Sequence, residues 1–346
     1  MAETVLVTGA NGFLGRHLVA ELLRQGYEVR ALVRTLDSVE GQPHPDPKKY
    51  PRARPLPPLH QLPIACVTGD ITRPETLAGA ATGCAAIVHA AALASVNPAR
   101  NPALWATNDG GTAAVLALAR QAGVGRFVYV GTANVFGFGP RHRPGNETQP
   151  FAGQRYGLDY MDSKLAATRR VLRAVADWQL PAVLVHPTFL LGPGDARPTS
   201  NALLLELLAG RLPGYPAGGK NYVHVADVAT ATVNALRLGR VGESYILGHE
   251  NLPYREAFAL MANILHVAPP RWPVPPALAR LYGVAADLKA RLTGRPAAVN
   301  AAMAAVGNDG HYFQVDKAVR ELQMPQTPIA QAVQEAFDWF KEYQYV

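Results

Sequence analysis

The sequence predicts an α/β fold: a Rossmann-type doubly wound parallel sheet followed by a smaller, mostly helical region. Two observations predict it. Short β-branched runs alternate with longer helical patterns through the first half, and a Gly-x-x-Gly-x-x-Gly spacing joins the first run to the first helix. Residues 4–7, 28–33, 86–89, 127–130 and 182–185 read as buried parallel strands. Between them, residues 14–25, 108–121 and 162–178 carry apolar side chains at helical spacing. Right-handed crossovers turn such an alternation into a doubly wound sheet.

Two breaks interrupt the rhythm. Residues 35–63 are rich in proline and carry Lys48, Lys49, Arg52 and Arg54, which predicts an exposed insertion, either a solvated loop or a lid or partner surface. After Pro187 the alternation gives way to Pro- and Gly-punctuated loops, with helices predicted at 226–238, 254–266, 276–292 and 329–343. The expected organisation is a dinucleotide-binding domain over 1–187 and a substrate-binding region over 188–346, with residues near 222–240 packing back on the first.

The bulk numbers set bounds. A chain of 346 residues with 49% hydrophobic and 17% charged residues builds a sizeable core. Cys66 and Cys84 are too few for a disulfide framework or a zinc site, so no metal is expected and a reducing, cytoplasmic setting is the simpler reading. No signal-peptide pattern and no apolar stretch of membrane-spanning length is read. The net charge of +7 is spread over scattered, mostly arginine residues, which argues against nucleic-acid binding. No internal repeat is found.

In the glycine segment, Gly9 permits the tight turn, Gly12 lets backbone approach a pyrophosphate, and Gly15 allows helix to pack on strand. Asn11, Phe13 and Leu14 share this loop and helix start, whose free N–H groups favour phosphate. Arg34 stands at the end of the second strand, where an NAD enzyme usually shows a carboxylate for the adenosine ribose. An arginine there neutralises a 2′-phosphate, so NADP is favoured over NAD, with Arg16 as a second positive contact; the alternative is that Arg34 points into solvent. Asp70, next to Ile71, follows the third strand and is placed to meet the adenine amino group. Ala90, Ala91 and Ala92 follow the fourth, where small side chains let a cofactor lie against backbone.

Tyr160 and Lys164 form a Tyr-x-x-x-Lys pair at the start of a helix. Residues four apart share a helix face, and a nearby ammonium is expected to lower the tyrosine pKa toward the working range. Upstream, Thr132 ends the fifth strand, where its hydroxyl would hydrogen-bond a substrate oxygen or cap the strand end.

Taken with His89–Ala92, Asn108-Asp-Gly-Gly-Thr112, His186–Gly194 and Val223–Val228, these segments resemble the extended short-chain dehydrogenase/reductases of the NAD-dependent epimerase/dehydratase superfamily. They run in family order over most of the chain. The resemblance implies Ser/Thr–Tyr–Lys catalysis at Thr132, Tyr160 and Lys164, with Thr in place of the commoner Ser. It implies that Asn108 is a structural or functional asparagine, that Pro187 and Thr188 line the nicotinamide, and that His224 and Asp227 buttress the second region. It also implies a homodimer through the helices before and after Tyr160. The second half looks most like dihydroflavonol-reductase-like and 3β-hydroxysteroid-dehydrogenase-like proteins; the stretch 210–225 is also similar to hopanoid-associated sugar epimerases. The Pro-rich insertion departs from all of these.

The expected function is reduction of a ketone or aldehyde, or oxidation of the alcohol, with a small-molecule carbonyl or alcohol substrate. The alternatives are a nucleotide-sugar epimerase or dehydratase, for which Arg197 and Lys220 would serve the diphosphate, and a non-catalytic dinucleotide-binding protein. Residues 276–295 form an amphipathic basic segment with Leu278, Leu281, Ala285, Leu288 and Leu292 near one face and Arg280, Lys289 and Arg291 elsewhere. It reads as a helix packed on the substrate region with a solvated basic side; the sharper alternative is loose attachment to an anionic membrane.

Overall fold

The computed structural model describes residues 2–36, 49–96, 99–212, 214–293 and 300–346. The strands are β1 (Thr4–Thr8), β2 (Glu28–Val33), β3 (Ala65–Thr68), β4 (Ala86–His89), β5 (Arg126–Val130) and β6 (Ala182–Pro187). They are followed by β7 (Phe189–Leu191), β8 (Gly214–Tyr215), β9 (Gly219–His224), β10 (Ser244–Leu247), β11 (Glu250–Pro253), β12 (Trp272–Pro273) and β13 (Gly310–His311). The main sheet has seven parallel strands in the order β10-β6-β5-β4-β1-β2-β3.

Strand periodicity divides the core in two. Val5, Val7, Val88, Val128 and Val185 face one side, against Leu18, Val19 and Leu22 of the helix Phe13–Arg24 and Val228 and Val233 of the helix Val225–Asn234. Leu6, Ile87, Phe127, Tyr129 and Leu184 face the other, against Val115 and Leu118 of the helix Gly111–Ala122 and Ala167 and Val171 of the helix Asp159–Trp178. Burial on both faces explains why these strands read as continuous apolar runs. A second sheet, in which β9 pairs with β7, β11 and β13, sits with the helices Tyr254–Leu265 and Ile329–Glu342 around Leu204, Tyr222, Phe258, Met261 and Val333.

The structure departs from the sequence reading in four places. The sheet takes its seventh strand, β10, from beyond residue 187; two long-range contacts blunt its outer edge, Glu147 Oε1 accepting from Ile246 N at 2.8 Å and Lys317 Nζ donating to Ser244 O at 2.7 Å. The helix bearing Tyr160 begins at Asp159, three residues early. Asn108 lies in a wide π-type turn, Trp105–Gly110, ahead of the helix proper. Finally, the second part of the Pro-rich segment is docked rather than free. Leu59 is fully buried, Tyr50 packs on Tyr345 with ring centroids 5.3 Å apart, and Arg54 N donates to Tyr343 O at 2.8 Å. Leu59 joins the core beside the helix Phe13–Arg24, while Tyr50 and Ala53 pack on the C-terminal cluster of Phe337, Phe340 and Tyr345, contacts no local pattern announces. Residues 37–48, including Lys48, lie outside the described residues, as does Arg295 of the basic segment.

Gly15 is the tightest point of the glycine loop: a Cβ there would stand 1.9 Å from Gly9 O, whereas one at Gly12 would meet only that oxygen, at 3.2 Å. Gly15→Ala is therefore expected to destabilise the fold by about 2 kcal/mol or more and Gly12→Ala by less than about 1 kcal/mol, read from denaturant midpoints.

Candidate active site

The strand order reverses between β1 and β4, and the crevice at their carboxyl ends is where doubly wound sheets bind ligands. Gly9 turns there with φ +73, and its missing Cβ leaves room for Ala91 N, which would otherwise lie 2.7 Å away. Ala91 N donates to Thr8 Oγ1 at 3.1 Å, so the glycine loop and the segment Ala90–Ala92 share one wall. Beyond Gly9 O, nothing in the described protein crowds Gly12, and no side chain caps the helix Phe13–Arg24. Asn11 is exposed at the loop tip, with Phe13 and Leu14 half-buried behind it. An open, uncapped helix N-terminus of this kind fits a dinucleotide pyrophosphate.

At the adenosine edge, Arg34 is exposed at the end of β2 and close enough to Asp70 to help hold that carboxyl below its ordinary pKa. The main cause is Thr72, whose N–H and hydroxyl donate to Asp70 Oδ1 at 2.9 and 2.7 Å. Two expectations need revision. Arg16 turns to the Pro-rich segment, donating from Nη1 to Pro57 O at 2.8 Å. Ile71 is buried, its side chain occupying the space a Cβ on Gly111 would need, so only its backbone is open to a cofactor.

Thr132, at the end of β5, caps the following turn, accepting weakly from Asn134 N at 3.4 Å, and its hydroxyl faces the Tyr160 phenol closely enough to lower its pKa. The helix carrying Tyr160 is pinned at its start. Asp159 accepts from Arg100 Nη1 at 2.8 Å and Asn101 N at 2.7 Å, and its charge suits a helix N-terminus. Lys164 is 2% exposed; its Nζ donates to Val130 O at 2.8 Å and lies 4.6 Å from the centroid of the Tyr129 ring. Burial brings the Lys164 pKa down to about 7. The expected lowering of the Tyr160 pKa is overturned. Burial pushes the phenol up, the Thr132 hydroxyl offsets this only in part, and the ammonium is engaged with Val130.

Sequence reasoning missed the buried polar chain behind this pair. Asn108 Oδ1 accepts from Leu93 N at 2.8 Å, while Nδ2 donates to Leu93 O and to Ser163 Oγ, each at 3.1 Å. Ser163 in turn donates to Tyr160 O at 3.1 Å. On the other side Thr112 Oγ1 donates to Asn108 O at 2.5 Å, which leaves that hydroxyl to accept from His89 Nε2 at 3.1 Å. His89 Nδ1 then accepts from Thr8 Oγ1 at 2.7 Å. His89 is thus a neutral Nε2–H tautomer, and burial followed by the Lys164 charge brings its pKa down to about 3. His186, fully buried on β6, is lowered to about 3 for the same reasons.

Pro187 closes β6, and Thr188 donates from N to Leu247 O at 2.9 Å and from Oγ1 to Asn221 Oδ1 at 2.8 Å. His224 and Asp227 are structural, as expected. His224 Nδ1 caps its helix at Ala226 N, 3.0 Å, and Asp227 accepts from Thr327 N and Oγ1 at 2.7 and 2.8 Å. Lys220 Nζ lies 5.4 Å from the Phe189 ring centroid, and burial lowers its pKa to about 8; Arg197 is exposed. Among the described residues no group of His, Cys, Asp and Glu is disposed to hold a metal.

Residues 5–248 match the NAD dependent epimerase/dehydratase family. The chain is 32% identical to a Synechocystis sp. protein named "Putative dihydroflavonol 4-reductase", over 100% of this chain and 97% of that one. Among solved structures, gox2253 superposes with a TM-score of 0.83 at 29% identity, covering 99% of each chain. A nucleoside-diphosphate-sugar epimerase from Pseudomonas aeruginosa, PA4631, shares the fold with a TM-score of 0.78 at 24% identity, over 100% of this chain and 99% of that one. The chain belongs to the NAD-dependent epimerase/dehydratase family and is an NAD(P)-dependent oxidoreductase of the extended short-chain type.

Proposed function

We propose that the protein is a carbonyl reductase in which Thr132, Tyr160 and Lys164 act on a ketone or aldehyde held against a nicotinamide cofactor. The observation that supports the reading is the placement of all three near the end of β5: the Thr132 hydroxyl acts on the Tyr160 phenol, and Lys164, one helical turn on, donates to Val130 O. Gly9–Gly15, Ala90–Ala92 and Asp70 would hold the dinucleotide, with Pro187 and Thr188 along its nicotinamide end. When bound, the nicotinamide supplies the hydride. Thr132 would orient the carbonyl oxygen by donating a hydrogen bond, and Tyr160 would give that oxygen its proton, completing the alcohol. A phenol whose pKa is raised keeps its proton at neutral pH and is present in the form that donates it. Lys164 would hold the ribose hydroxyls, and Asn108 would keep Tyr160 in register through Ser163. The name of the Synechocystis relative supports the same reading.

NADP is the proposed cofactor, on the strength of Arg34 at the end of β2, a position where a ribose-binding carboxylate would mark an NAD enzyme. An epimerase or dehydratase would instead recycle its cofactor without net consumption. Stoichiometric consumption of NADPH across ketones, aldehydes and nucleotide sugars distinguishes the two.

Tyr160→Phe is expected to lower turnover by about 100-fold or more while leaving dinucleotide affinity within a few-fold, measured by cofactor oxidation and by titration calorimetry. Unchanged turnover would remove the catalytic assignment. Arg34→Glu is expected to shift the NADPH/NADH ratio of kcat/KM toward NADH by at least about tenfold. The lowered pKa of Lys164 also has a stability signature. Between about 7 and the ordinary lysine value the unfolded chain binds the proton that the folded chain has released, so stability rises with pH across that window. In the cofactor-free protein, the stability of Lys164→Met relative to the parent is therefore expected to be greatest near pH 7 and to fall by about 2–5 kcal/mol toward pH 10, read from denaturant midpoints.

A further inference from the structure

The helix Pro276–Thr293 is built inside out. Its small residues Ala279, Gly283, Ala286 and Ala290 face the protein, where a Cβ on Gly283 would stand 2.6 Å from Ala301 Cα. Asp287, its only acidic residue, also turns inward, accepting from Ala301 N at 3.1 Å. The large apolar side chains point away: Leu278, Leu281, Tyr282, Leu288 and Leu292 are each more than half exposed, reaching 80% at Leu292, and Trp272 just upstream is 73% exposed. At helical spacing the leucines and Tyr282 form one stripe, with Lys289 inside it between Leu278 and Tyr282 and Arg280 beyond its Leu288 side. Neither cation has a carboxylate partner among the described residues. A helix of a soluble domain buries its leucines and exposes its polar side; this one has the pattern reversed.

We propose that this face docks on the interfacial region of an anionic phospholipid bilayer. The stripe supplies the apolar area that enters the headgroup boundary, while Lys289 from within it and Arg280 from beside it extend their long side chains to lipid phosphates. Charge decides against a second copy of the chain: a two-fold contact through this face brings unpaired cations together with no outward acid to meet them. The attachment is peripheral, since no described helix is long and apolar enough to cross a membrane.

The face is coupled to the candidate site through one helix. Ala301–Asn308, on which the docking helix rests, places Ala302, Ala305 and Val306 in the apolar cluster containing Tyr156, Met161 and Tyr160. Asn300 anchors its start, donating from Nδ2 to Val96 O at 2.8 Å. Docking therefore sets the Tyr160 cleft one helix layer from the lipid and gives a membrane-dissolved carbonyl compound a short route to it. The docking itself goes beyond the reductase reading and does not require it.

The test is flotation of the full chain with vesicles of phosphatidylcholine alone or mixed with phosphatidylglycerol, at low and high salt. The protein is expected to float with the mixed vesicles, less so with phosphatidylcholine alone, and to be released in part by salt. Leu281→Asp with Leu288→Asp is expected to abolish flotation, and Arg280→Glu with Lys289→Glu to weaken binding by at least about tenfold. Both double variants are expected to keep the parent melting temperature and its turnover of a water-soluble carbonyl compound, which separates lost docking from misfolding and from failure of the reductase assignment. No flotation of the parent with either vesicle, or flotation untouched by the leucine substitutions, overturns the proposal. So does light scattering in which the parent is a dimer that the leucine substitutions dissociate, an outcome that assigns the face to a second copy.

Discussion

The ammonium of Lys164 sets the terms for everything around it. An isolated buried cation costs several kcal/mol, and the fold offsets part of this with one carbonyl, Val130 O, and the face of the Tyr129 ring; the remainder brings the pKa down to about 7. Its neighbours must not add positive charge. Both imidazoles that feel it, His89 and His186, are held neutral far below physiological pH. The polar groups nearby form a one-way sequence of donors and acceptors from Thr8 through His89, Thr112, Asn108 and Ser163 to Tyr160 O. Such a sequence leaves none of its members unsatisfied, and that is the condition under which a buried polar network stiffens a fold. The glycine loop, the fourth strand, the wide turn at Asn108 and the tyrosine helix are thereby tied to one frame.

This frame also explains why the first half of the chain was legible. Gly9, Gly12 and Gly15 announce themselves because backbone geometry at a strand-to-helix turn is local, and Tyr160 with Lys164 because a helix converts a spacing of four into a shared face. Strands β1, β4, β5 and β6 were readable as apolar runs since both their faces are covered. None of this required knowledge of what the runs pack against.

What was not legible depends on contacts between distant residues. Nothing near Tyr160 in sequence shows that burial outweighs a neighbouring ammonium, because the ammonium's direction is set by Val130 O, thirty-four residues upstream. Ile71 was read beside Asp70 as part of the cofactor edge, yet the bareness of Gly111 draws its side chain into the core. The proline-rich composition of residues 49–63 spoke for a solvated loop, while Leu59 and Tyr50 were enough to dock it. His89 and His186 looked like motif residues without a task until burial gave both the same neutral state. The leucines of Pro276–Thr293 were read correctly as one face, but only the partner helix determines which way that face points.

The seventh strand carries a consequence for how the chain comes to be made. β6 has two neighbours in the sheet, and one of them, β10, is synthesised nearly sixty residues later. Until then the emerging nucleotide-binding half presents Ala182–Pro187 as a bare, mostly apolar edge, the kind of template on which unfinished chains pair with one another. The mature protein moves the edge outward to β10, where Glu147 and Lys317 occupy backbone groups that would otherwise recruit a foreign strand. Guarding the growing polypeptide during that interval is a task for the ribosome's surroundings, chaperones included, and not for the finished fold.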